Sequence, residues 1–120
     1  MELQSATHGG RPYIRSSSPR VMIGNPQDVL DLLAFASEHG TNLFVLGESN
    51  IAPAFYDLKS GLAGEVAQKL SNYGARVAIV GSFQTVRSDR FREFMAEANK
   101  GNQLRFTADE KSALAWLMRE

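Results

Sequence analysis

Short uninterrupted apolar runs alternate with amphipathic ones along most of the chain, and this alternation predicts a sheet flanked by helices. Leu43 to Leu46 (LFVL) and Val77 to Val80 (VAIV) are too short for helices and apolar throughout, as strands covered on both faces are. Each run is followed by a glycine, Gly47 and Gly81. Between them Leu62, Val66, Leu70 and Tyr73 recur at helical spacing up to Gly74. Upstream, Asn25 stands as an N-cap before Pro26, and Val29, Leu30, Leu33 and Ala36 or Ser37 mark a first helix that stops at Gly40. Downstream, Phe91, Phe94, Met95 and Ala98 predict a third helix ending near Gly101, followed by a strand over Leu104 to Phe106. Thr107 and Glu110 form the pattern of a capping box for a last helix, with Leu114 and Leu117 facing inward.

Near the amino terminus, Tyr13 to Arg15 and Arg20 to Ile23 flank the turn-rich SSSP (Ser16 to Pro19), predicting two short strands of a hairpin. Met1 to Arg11 is polar and contains glycine, so residues 1–11 are expected to be a flexible tail and residues 12–120 one domain. The predicted order is ββαβαβαβα. It implies an α/β fold with a mixed, mainly parallel central sheet and helices packed on it. In such sheets ligands and partners engage the loops at the carboxyl ends of the strands, and Gly47 to Ser60 is the longest of these.

Composition narrows the chemistry. The 120 residues suit a single domain with its own core, at 43% hydrophobic and 22% charged. Thirteen basic and thirteen acidic side chains cancel, which argues against nucleic acid or an anionic membrane as partner. Without cysteine there are no disulfides, thiolate metal sites or cysteine nucleophiles. His8 and His39 stand apart, His39 beside the helix-ending Gly40, and no metal-ligand spacing joins them to carboxylates. Neither a GxGxxG run nor a GxxxxGK loop is present, so no nucleotide cofactor is expected. MELQSATHGG lacks the basic start and apolar run of a secretory signal, and no apolar stretch reaches membrane-spanning length, so the expectation is a cytoplasmic protein. A homo-oligomer is compatible with all of this.

The junction FYDLKSGLAGEV (Phe55 to Val66) is unusually polar and small for the start of a helix. Unpaired N–H groups and the positive end of the dipole gather there, so Ser60 is a natural cap, and the same place can hold an anion or a phosphoryl group. Gly61 and Gly64 each cost about 1 kcal/mol in a helix relative to alanine, which suggests close approach of the sheet, another backbone or a ligand. Asp57 and Glu65 offer an acid and a base, although carboxylates near a helix start also simply match the dipole. The apolar run Ile51 to Tyr56 must fold back or meet something. RSDRFRE (Arg87 to Glu93) is diluted by its acids and reads as a solvated face, with Phe91 and Phe94 committed to the core.

FYDLKSGLAGEVAQKL (Phe55 to Leu70), VAIVGSF (Val77 to Phe83) and FMAEANKGNQLRF (Phe94 to Phe106) resemble a small bacterial family of domains of unknown function, number 4180, from about Tyr13 to Leu117. More distantly, the element order and the run Asp57, Leu58, Lys59, Ser60, Gly61, Leu62 opening a helix are similar to the STAS domains of anti-sigma-factor antagonists. In those domains an aspartate and a serine or threonine precede Gly-Leu, and phosphorylation of the hydroxyl switches partner binding. Here Asp57 stands three residues before Ser60, one more than in the antagonists. The resemblance implies a STAS-like, non-enzymatic regulatory module. It would meet a protein partner through Asn50, Phe55, Tyr56, Asp57, Lys59, Ser60, Gly61, Gly64 and Glu65, with Ser60 as a phosphorylation switch. The residues leave open a small-ligand or anion cradle built from Gly47, Ser49, Ser60, Gly61 and Gly81, and a hydrolase or transferase using Asp57 and Glu65.

Overall fold

The computed structural model describes residues 2–84 and 86–119. Five strands form one sheet, β1 (Leu3–His8), β2 (Arg11–Ser16), β3 (Leu43–Gly47), β4 (Arg76–Val80) and β5 (Leu104–Thr107), lying side by side in chain order. Only β1 runs antiparallel to its neighbour, and β2 to β5 are parallel. Helices α1 (Gln27–Glu38), α2 (Leu62–Tyr73) and α3 (Asp89–Ala98) make the three crossovers, and α4 (Glu110–Leu117) follows β5. The order ββαβαβαβα and the mixed, mainly parallel sheet agree with the hydrophobic pattern.

Alternation along the central strands separates two cores. Ile14, Phe44, Leu46, Val77 and Ile79 face α1, α2 and α3, which contribute Val29, Leu32, Val66, Leu70 and Phe91. Tyr13, Leu43, Val45 and Ala78 point the other way, onto Ala113, Trp116 and Leu117 of α4. With both faces covered, the strands could be apolar throughout, which explains the runs LFVL and VAIV.

Several local expectations are corrected. The supposed tail is a strand: residues 3–8 pair with β2 from Leu3↔Ser16 to His8↔Arg11. The hairpin turn is Gly9–Gly10, both with positive φ (59° and 81°), as a two-residue hairpin loop demands. LQSATH carried little strand signal because only Leu3 is buried. Arg20 to Ile23 is not a strand but a crossing segment with one bridge, Ile23↔Ile51. Tyr73 is exposed rather than part of the apolar stripe of α2. Asn25 does cap α1, accepting from the Asp28 N–H (3.1 Å) while Asp28 accepts from the N–H groups of Gly24 and Asn25. The capping pair at α4 differs from expectation. Asp109, not Thr107, accepts from the Ser112 N–H at 2.7 Å.

Candidate functional site

Leaving β3, the chain makes three 3-10 turns, Glu48–Asn50, Pro53–Tyr56 and Leu58–Ser60, before α2 begins. Each turn is held by a side chain from the polar junction. Asp57 accepts from the Lys59 N–H (3.1 Å) and so caps the third turn. Ser60 donates its hydroxyl proton to the Ala54 carbonyl and accepts from the Leu62 N–H (3.2 Å), linking the second turn to the helix start. Gly61 is the residue from which α2 departs, at φ 79°, where a side chain would be strained. The polarity and smallness of the junction thus have a structural cause.

Asn50 is buried and ties the same segment to the crossing strand-to-helix connection. Its amide donates to the carbonyls of Ser18 (2.8 Å) and Arg20 (2.7 Å), and its side-chain oxygen accepts from the Gly47 N–H (2.7 Å). The Asn50 carbonyl accepts from Met22 and Ile23. Every polar group of this side chain is engaged, as burial requires. Phe55 is fully buried too, meeting Phe91 and Phe106 at ring-centroid distances of 5.9 and 6.4 Å. Asn50 and Phe55 were expected at a partner-binding surface; both are instead internal, and the apolar run Ile51 to Tyr56 folds back through Ile51 and Phe55.

Glu48, which the sequence pattern did not single out, organises the carboxyl edge. Its Oε1 accepts from the Phe83 N–H (3.2 Å), across from β3 to the loop that leaves β4. Phe83 adopts a left-handed φ of 55°, an uncommon conformation for a bulky residue, so this bond helps hold a strained turn. Gly81 has to be small here: a Cβ would lie 2.6 Å from the Glu48 Cβ. The Tyr56 hydroxyl donates to the Glu48 carbonyl (2.9 Å). Burial, and then the Glu48 charge, raise the Tyr56 pKa well above the usual phenol value, so the hydroxyl stays a donor at neutral pH. An acidic residue directly after the glycine that ends a buried strand was the available signal for Glu48.

These residues border an open cleft of about 900 Å³ at the carboxyl ends of β3 and β4, lined by Gly47, Glu48, Ser49, Tyr56, Asp57 and Gly81 among others. Neither lysine nor arginine is among its described lining residues. Of the expected anion cradle, Gly47, Ser49 and Gly81 are present; Ser60 and Gly61 lie outside, and the acidic Glu48 and Asp57 are among the lining residues. Asp57 also borders a smaller recess of about 400 Å³ with Lys59, Ser88 and Arg90. Glu65 is an exposed residue of α2 and does not join Asp57 in lining the cleft. Gly64 is exposed with nothing within 4 Å of a Cβ, so the close approach expected there does not occur.

Elsewhere His39 bonds through Nδ1 to the Phe35 carbonyl (2.9 Å) and stacks on Phe35, while His8 ends β1. Ser88 caps α3 by accepting from the Phe91 N–H. Among the described residues no group of three or more His, Asp or Glu could hold a metal ion, and no helix is long and apolar enough to cross a membrane.

Comparison with curated proteins and with solved structures gives no match. The family model described as a domain of unknown function, DUF4180, covers residues 8–117. That span takes in every parallel strand, all four helices and the whole carboxyl edge with its cleft, and the chain therefore belongs to the DUF4180 family.

Proposed function

We propose that this domain binds a small molecule in the cleft at the carboxyl ends of β3 and β4. The observation that carries the reading is the cleft itself: about 900 Å³, placed where parallel α/β sheets hold ligands, with polar groups converging on apolar walls. Glu48 and Asp57 supply carboxylates and Ser49 a hydroxyl, with no basic residue among the described lining. Such a wall favours a neutral or cationic ligand with hydrogen-bond donors, an amine or guanidinium compound above all, over a phosphate ester. Glu48 is held by its bond to Phe83, so the acceptor is oriented before a ligand arrives.

The test is thermal shift against a panel of amines, guanidinium compounds, polyols, nucleosides and phosphate esters. A true ligand at a hundred-fold excess over its Kd stabilises by about 2.7 kcal/mol, a Tm shift on the order of 10 °C for a domain of this size. The shift should vanish in Ser49→Phe, which fills the cleft from an exposed position, and weaken in Asp57→Asn. Shifts confined to phosphate esters, or unaffected by Ser49→Phe, would refute the reading.

A STAS-like interaction module is a second reading, favoured by one feature. Lys59 and Ser60 are exposed on a turn that also carries the start of α2, so a phosphoryl group on Ser60 would alter the surface beside Asp57. Against it, the Ser60 hydroxyl is engaged with Ala54 and Leu62, and phosphorylation would remove the proton it donates to Ala54. Phosphate found on Ser60 in cells, together with a partner lost in Ser60→Asp, would favour this reading over the ligand cleft.

A further inference from the structure

The two edges of the sheet are treated differently. At β5 the outward backbone groups of Phe106 are occupied: the Asn99 side chain accepts from the Phe106 N–H (2.9 Å) and donates to the Phe106 carbonyl (3.4 Å), standing in for a neighbouring strand at that position. Edge protection of this kind is a usual defence against strand addition. At β1 there is none among the described residues. It pairs with β2 alone, contains no proline and no lysine or arginine, and keeps an unbroken register from Leu3 to His8.

The free edge has a definite polarity. The Ser17 N–H donates to the Glu2 carbonyl, and the tight Gly9–Gly10 turn closes on the His8↔Arg11 pair. Antiparallel ladders alternate, so Gln4, Ala6 and His8 turn their N–H and C=O groups toward β2, and Leu3, Ser5 and Thr7 turn theirs outward. We infer that β1 pairs antiparallel with β1 of a second copy of this chain, about a two-fold axis at Ser5, joining the two sheets into one of ten strands.

A second copy of β1 matches this array at every position. With Ser5 opposite Ser5, Leu3 falls opposite Thr7, and each of the three outward residues meets an outward residue, giving six backbone hydrogen bonds. The intervening positions oppose Gln4 with Ala6 and Glu2 with His8, so no like charges face one another. Ser5 and Ala6 at the centre are small; Leu3 and Ala6 turn toward the two cores, while the Gln4, Ser5, Thr7 and His8 side chains are exposed. This inference is independent of the ligand cleft, which lies at the carboxyl ends of β3 and β4.

The chain has no cysteine, so a single introduced thiol reports the register directly. In the pairing described, Ser5→Cys places two cysteines opposite one another with Cα atoms about 5.5 Å apart, within disulfide range. Thr7→Cys faces Leu3 instead and leaves its two thiols far apart. Mild oxidation should give a covalent dimer with Ser5→Cys and not with Thr7→Cys. Sedimentation of the wild-type chain over a concentration series should reach twice the 13.2 kDa monomer mass. Ser5→Pro removes only an outward N–H and should return the mass to monomer while the melting curve shows a folded domain. A wild-type chain that stays at monomer mass at every concentration would sink the inference. So would a dimer that persists in folded Ser5→Pro, or one that crosslinks equally at both positions.

Discussion

A methyl group added at Gly81 and one added at Gly64 should act in opposite directions. At Gly81 the new Cβ would run into the Glu48 side chain at its Cβ, which cannot swing aside as a flexible tip could. Gly81→Ala should therefore destabilise by about 1–3 kcal/mol, the usual cost of overpacking. At Gly64, inside α2 and exposed, the methyl meets nothing. Gly64→Ala should stabilise by up to about 1 kcal/mol through helix propensity alone. Chemical denaturation of the two variants beside the wild type checks both, and a destabilised Gly64→Ala would mean that α2 is crowded there after all. The sequence reported two costly glycines at this junction without separating them. Gly61 is required by its left-handed backbone and Gly64 is not, a distinction that depends on φ and on neighbours remote in sequence.

At the scale of elements, the caps are where sequence and structure can be compared most closely. Asn25 was legible because its partner Asp28 is three residues away and the exchange is local. At α4 the pattern pointed to Thr107 with Glu110, but β5 runs through Thr107 and the helix is capped by Asp109 with Ser112 instead. The Ser112 backbone N–H and side chain hold the Asp109 carboxyl below its ordinary pKa. A depressed folded-state pKa contributes stability that is present above the unfolded-state value and is lost as pH falls through the folded one. Stability should accordingly decline below about pH 4 in part through Asp109, and Asp109→Asn, whose side chain caps without titrating, should flatten that portion of the profile. Denaturant titrations from pH 2 to 6, the range set by carboxylate titration, would show it; an unchanged slope in Asp109→Asn would remove the cap from the account.

Across the whole molecule the two cores differ greatly in size, and the smaller one hangs on a single short helix. The carboxyl end of α4 is gathered by arginines: Arg76 donates to the carbonyls of Trp116 (2.9 Å) and Leu117 (3.0 Å), and Arg11 to that of Met118 (3.0 Å). The Arg76 guanidinium also lies 4.5 Å over the Trp116 ring. These bonds come from β2 and β4, so α4 is fastened to strands that belong equally to the larger core. Fluorescence of Trp116, the only tryptophan, and far-UV circular dichroism should therefore follow one coincident denaturant transition. In Arg76→Lys the planar fork is lost, and the fluorescence midpoint should fall, to an extent that a point charge does not restore. Two separate transitions in the wild type would show that the outer layer unfolds by itself.

The sequence by itself determined the class of fold and the succession of elements from α1 onward, because both follow from local periodicity: doubly buried strands are apolar throughout, and helices repeat at helical spacing. It also located the edge of the sheet from which the long polar junction leaves. What it could not contain was strand β1, whose polar residues are ordered by pairing and by a two-glycine turn rather than by burial. Only the tertiary structure moved Asn50 and Phe55 inside, brought Glu48 across to Phe83 and Gly81, and parted Asp57 from Glu65. Each of these depends on contacts between segments distant along the chain, and no pattern of spacing within one segment records them.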